Sequence, residues 1–127
     1  MWDVLIQVAA AVIGGAIVGG LVAITIDAII DNYVKPFFDR NDVEKTTVVK
    51  KKNIKKLLKN VSRKQRRTAE AVIAVLDASA DDDDIVMYGK DRTGQVWYET
   101  VDEDCEDLDE AAYKVSRSGD KEKIYIG

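Results

Sequence analysis

From Val4 to Ile26 the chain runs VLIQVAAAVIGGAIVGGLVAITI, a stretch without a single charge in which Gln7 and Thr25 are the polar side chains. No other feature limits the possible folds as much. As a helix this segment spans about 34 Å at roughly 1.5 Å per residue, enough to cross a hydrocarbon core about 30 Å thick. Trp2 stands before it, and Tyr33, Phe37 and Phe38 follow it, where interfacial aromatics are favoured. Buried in a water-soluble protein, the same helix would need an apolar coat that the rest of the chain is too short to supply. A cleaved signal fits poorly, because the start MWD lacks basic residues and the apolar run is too long. The sequence therefore predicts a retained transmembrane helix.

Its orientation follows from Lys35, Arg40, Lys45 and Lys50 to Lys52, which all lie on the C-terminal side, with no Lys or Arg before the helix. Positive-inside asymmetry places the N-terminus outside and the remainder in the cytoplasm, a setting that suits the lone Cys105 as a reduced thiol.

Small residues recur by fours along this helix as Ala11, Gly15, Gly19 and Ala23, a pattern that resembles a glycine zipper. In lipid, helices associate where small residues let backbones approach, so the row predicts a homo-oligomer. The same spacing continues to Asp27 and Asp31, with Lys35 next and then Pro36. In an oligomer the two carboxylates would form an acidic ring at a pore mouth. The competing reading leaves them solvated at the headgroups, with Asp31 and Lys35 as an i,i+4 pair. The stretch AVIGGAIVGGLVAITIDAIIDNYVKPFF resembles the first pore helix of large-conductance mechanosensitive channels, over less than a quarter of the chain. No second span follows, so no residue role or activity is carried over.

The overall charge of −4 hides three regions. Residues 1–43 sum to −3, residues 44–69 to +10 and residues 70–127 to −11. In the basic middle, Ile54, Leu57, Leu58 and Val61 recur at helical spacing, with lysines on the opposite face. Ser62 and Gln65 form a capping-box pattern that opens a second helix, running to about Asp77 with Ala69, Val72, Ile73 and Leu76 as its apolar stripe. The polyanion-binding candidates are Lys50, Lys51, Lys52, Lys55, Lys56, Lys59, Arg63, Lys64, Arg66 and Arg67. Beside a membrane span such a run is drawn to anionic lipid. A nucleic acid is a weaker fit, since the segment has no aromatic side chain for stacking. A third reading docks the cationic helices on the acidic C-terminal region.

In that region IVMYG and QVWYETV flank the turn-forming KDRTG and predict a β-hairpin. EDLDEAAYKVS reads as a short helix with acids in its first turn, and KIYIG as a closing strand. Val86, Tyr88, Val96, Tyr98, Tyr113, Ile124 and Ile126 are the core candidates. The fold class is thus α+β in three parts. Residues 1–38 form a single transmembrane helix and its interfacial end, 39–78 a basic juxtamembrane helical segment, and 79–127 a small acidic α+β unit.

The chain contains no His and one Cys, which excludes imidazole bases, His-ligated zinc, an internal disulfide and cysteine-based zinc sites. Asp102, Asp104 and Glu106 alternate as in a calcium loop, but the glycine and terminal glutamate of such a loop are missing. With no nucleophile–base pair, phosphate loop or cofactor motif, the sequence predicts no catalytic residue, metal or cofactor. Two functions compete. One is a self-associating pore-forming or scaffold protein in membrane lipid. The other is a membrane-tethered module that recruits a protein or nucleic acid.

Overall fold

The computed structural model describes residues 23–58 and 61–126. The predicted transmembrane segment up to residue 22, with Ala11, Gly15 and Gly19, lies outside the described residues, as does Lys59. No helix among the described residues is long and apolar enough to cross a membrane.

The chain enters through an extended stretch. Ala23 forms a parallel bridge with Asp104, and the Ile24 N–H donates to the Asp104 carbonyl at 2.9 Å. Thr25 then caps a new helix, its hydroxyl accepting from the Ala28 N–H. Ala23 is therefore not on the helix that carries Asp27 and Asp31, and the row of fours is broken before it reaches the carboxylates. The helix runs as α1 (Ile26–Ile29), a π-helical turn (Ile30–Val34) and α2 (Lys35–Asn41). Pro36 explains the widened turn, since its ring would crowd the carbonyl four residues back and it has no N–H to donate. Asp42 ends α2 at a φ of 52°, a left-handed position that Asp tolerates better than most residues.

A strand follows at once. β1 (Val43–Lys50) is continuous with α3 (Lys51–Leu58), and α4 (Arg63–Ser79) comes next. The stretch expected to be a helical segment from residue 39 thus contains the central strand of the molecule. β2 (Ile85–Asp91) and β3 (Val96–Val101) form the predicted hairpin. A 3-10 turn (Glu106–Leu108) leads to β4 (Ala111–Ser116) and β5 (Lys121–Tyr125). The short helix expected over residues 106–116 is therefore corrected to that turn plus a strand. Pairing to both β1 and β5 outweighs the helix preference of Glu110, Ala111 and Ala112, because strand tendency is decided mainly by the surroundings.

The sheet is antiparallel throughout, in the order β3-β2-β1-β4-β5. Alternation along the strands sends Val48, Ile85, Met87, Tyr113 and Val115 to one face, where Ile29, Val34, Phe37 and Phe38 of the N-terminal helix cover them. Val49, Val86, Tyr98 and Ala112 point the other way, under Ile54, Leu58, Ala69, Val72 and Leu76 of α3 and α4. The result is three layers with a core on each side of the sheet. One glycine is required by close approach. A Cβ on Gly89 would lie 2.3 Å from the Lys45 carbonyl oxygen, beside the irregularity in the β1–β2 register at Val43 to Lys45.

The acidic run has a structural role. The backbone carbonyls of Asp84 and Asp82 accept from the Lys51 and Lys52 N–H groups at 2.9 and 3.0 Å, closing the start of α3, which follows β1 without a loop.

Candidate functional site

The register aligns one row of side chains across four strands. Tyr98 on β3 is opposite Tyr88 on β2, Tyr88 is opposite Thr47 on β1, and Thr47 is opposite Lys114 on β4. One step outward, Val96, Lys90, Lys45 and Ser116 form a second row on the same face. The tyrosine rings stack with their centroids 5.7 Å apart and their planes at 27°. Burial pushes both phenols above their ordinary value of 10, and the Thr47 hydroxyl partly offsets this for Tyr88. Both are neutral hydroxyl groups at physiological pH.

Over these rows α4 fails to seal the sheet. From Ala69 onward it does, through Val72 and Leu76, but the positions that continue this stripe toward the N-terminus are Thr68 and Gln65, which are only partly buried. Between the first turns of α4 and the sheet lies a groove of about 820 Å³. Its floor is Thr47, Tyr88, Tyr98 and Val96, its wall is Leu58, Val61, Gln65 and Ala69, and Thr93 and Gly94 of the hairpin turn form a lip. Lys45, Lys64, Lys90 and Lys114 also line it, and all four are exposed. None of these four makes an ion pair among the described residues. Glu44 is the acid in the lining, and Arg92 stands 3.7 Å from it. The groove is apolar within and cationic at its edge.

The basic residues singled out from the sequence are divided by the fold. Lys50 is 2% exposed and reaches Asp104 at 2.8 Å and Asp109. Burial works against its ammonium, but the hydrogen bonds and charges of Asp104 and Asp109 outweigh it, so the pKa lies above the ordinary 10.5. Lys51 lies between Asp77 and Asp82, Lys52 between Asp83 and Asp109, and Lys55 is 3.8 Å from Asp77. Lys56, Arg63, Lys64, Arg66 and Arg67 remain exposed without an ion pair among the described residues. Asp27 pairs with Lys121, and Asp31 with Lys35 at 2.8 Å.

Among the described residues no group of three His, Cys, Asp or Glu is arranged to hold a metal ion. Cys105 is fully buried, and burial pushes its thiol above the ordinary 9.0. The sequence reading of Tyr88, Val96 and Tyr98 as core holds, with Tyr98 buried and the other two packed on the same cluster, but it does not show that all three also line a groove. The available signal was the change from Ala69 and Val72 to Gln65 and Thr68 along one face of α4, which marks where that helix stops being a lid. Comparison of the chain with protein-family models, with curated proteins and with solved structures finds no match in any of the three.

Proposed function

We propose that this chain is a membrane-tethered binding module, with the apolar N-terminal segment as its anchor and the groove as its binding site. The observation that carries the reading is the groove itself, in which two tyrosines and an apolar wall are edged by four lysines that make no ion pair among the described residues. Clefts of roughly 300–1,000 Å³ with a mostly apolar lining and a few polar groups are typical small-molecule sites. Since Ala23 is held against Asp104, the apolar stretch left for a span is residues 4–22, about 28 Å as a helix and close to the thickness of a hydrocarbon core. The one-sided distribution of Lys and Arg supports a cytoplasmic folded unit. The row Ala11, Gly15 and Gly19 supports self-association of the anchor. The pore version of the function gains nothing from Asp27 and Asp31, each of which already has a cation beside it.

Two measurements on the full-length protein test this. It should stay with membranes through an alkaline carbonate wash, and release into the supernatant overturns the tether. In mild detergent, the small-molecule fraction of a cell extract should raise its unfolding temperature, as any ligand of the native state does. Gln65→Trp, which fills the groove from an incompletely buried position, should abolish that rise. A wild-type protein that no such fraction stabilises overturns the binding reading.

A further inference from the structure

Four exposed lysines line one apolar groove, an edge that favours an anionic ligand over a cationic one. An anion entering between Lys64 on α4 and Lys114 on β4 meets a cation from each element; the one carboxylate in the lining, Glu44, stands 3.7 Å from Arg92, which is also 3.5 Å from Asp42, and Glu122 on β5 is opposite Lys114. The lining below them is neutral, mostly apolar, with hydroxyl and amide groups such as those of Thr47, Tyr88 and Gln65. Two of its floor residues are tyrosines, and Tyr88 is only partly buried, so a planar apolar body can stack on it or meet it edge-on.

Resting on the binding-module reading above, we infer that the groove binds an aromatic carboxylate, with the ring system against Tyr88 and Tyr98 and the carboxylate at Lys64 and Lys114. The four-lysine edge distinguishes this from a neutral ligand. The tyrosine floor distinguishes it from a purely aliphatic acid. Neutral Tyr hydroxyls and the amide of Gln65 can serve a substituent on the ring without adding a charge.

The probes are 2-naphthoate, its neutral counterpart 2-naphthalenemethanol, and octanoate, titrated into full-length protein in zwitterionic nanodiscs. Ring resonances of labelled Tyr88 and Tyr98 report binding at the site itself. The expected result is that 2-naphthoate binds at least about tenfold more tightly than either of the others, the size of effect a single charge-assisted contact gives. The double variant Lys64→Gln, Lys114→Gln should lose the preference over the alcohol while still binding both. Gln65→Trp should bind none. Should a variant fail to fold, as its loss of tyrosine shift dispersion would reveal, the three wild-type titrations still decide the matter. Equal affinity for the acid and the alcohol, equal affinity for octanoate, or no shift of either tyrosine overturns the assignment. If 2-naphthoate fails while the extract fraction still stabilises the wild type and not Gln65→Trp, the ligand class is wrong and the binding-module reading stands.

Discussion

Asp91 shows how much one side chain arranges at the groove's lip. Its Oδ1 accepts from the Thr93 N–H at 2.8 Å, the Thr93 hydroxyl at 2.6 Å and the Gln95 N–H at 3.0 Å. Oδ2 accepts from the Trp97 indole at 2.9 Å. Gly94, at a φ of 85°, completes the turn with its N–H on the Asp91 carbonyl. The Thr93 hydroxyl, then the indole, hold the carboxyl at about 2, below its ordinary 3.8. A depressed carboxyl pKa stabilises the fold fully above the unfolded value and loses that contribution as pH falls toward the folded one. The hairpin turn should therefore loosen between about pH 4 and pH 2. The indole N–H resonance of Trp97 should shift with a midpoint near 2, and Asp91→Asn should remove the transition. A midpoint near 3.8 would mean that the four hydrogen bonds do not favour the charged form.

The junction of β1 and α3 is where the basic and acidic halves of the sequence meet. Lys50 ends β1 almost wholly buried, whereas its partners Asp104 and Asp109 keep 39% and 49% of their side-chain surface in water. Removing the cation leaves partly solvated carboxylates, while neutralising Asp104 and Asp109 leaves a buried ammonium with exposed Asp83, 4.0 Å away, as its remaining ion-pair partner. Breaking a buried pair costs most when the remaining charge is the buried one, about 3–5 kcal/mol in well-buried cases. The double variant Asp104→Asn, Asp109→Asn should thus lower the unfolding temperature of the full-length protein more than Lys50→Met, whose side chain has similar length. The reverse order would show that the pair is not what keeps Lys50 inside.

Elements with strong local signals were legible in the sequence. The turn-forming KDRTG between two β-rich runs gave the hairpin, and the apolar spacing of Ile54 and Leu58 and of Ala69, Val72 and Leu76 gave α3 and α4. β1 was hidden because a strand covered on both faces shows no alternation, and its apolar Val48 and Val49 run directly into lysines. β4 was hidden because Ala111 and Ala112 favour helix locally and become strand through their neighbours. The groove depends on the register of β1 and β4, so Thr47 and Lys114 could not be placed beside Tyr88 from the sequence, even though every one of its side chains was in view.

At the scale of the whole molecule, the two ends of β1 carry different sets of charges. β1, about 26 Å long at roughly 3.3 Å per residue, runs from Lys45 beside Lys90 to Lys50 beside Ile85. Beyond the Lys50 end lie Asp81 to Asp84, Asp104 and Asp109, together with the point where the chain enters at Ala23. Toward the other end lie the groove, whose lysines make no ion pair among the described residues, the start of α4, and Asp39, Asp42 and Glu44 with Arg92 and Arg117. Under the proposed tethering, a span that ends before Ala23 would set the end with Asp81 to Asp84 against the bilayer, where Lys50, Lys51 and Lys52 balance part of the acid. The exposed cations of α4 would then face away from the headgroups. This can be measured with dyes at Asp81→Cys and at Ser118→Cys in the β4–β5 turn, because buried Cys105 will not react. In nanodiscs carrying acceptor-labelled headgroups, energy transfer should be stronger from position 81 than from 118. The order should hold when phosphatidylserine is added, since surface charges separated by more than about 8–10 Å are largely screened at physiological salt. If position 118 is the nearer one, and only in anionic discs, then the groove end lies on the lipid, and Arg63, Lys64, Arg66 and Arg67 serve the membrane rather than a ligand in the groove.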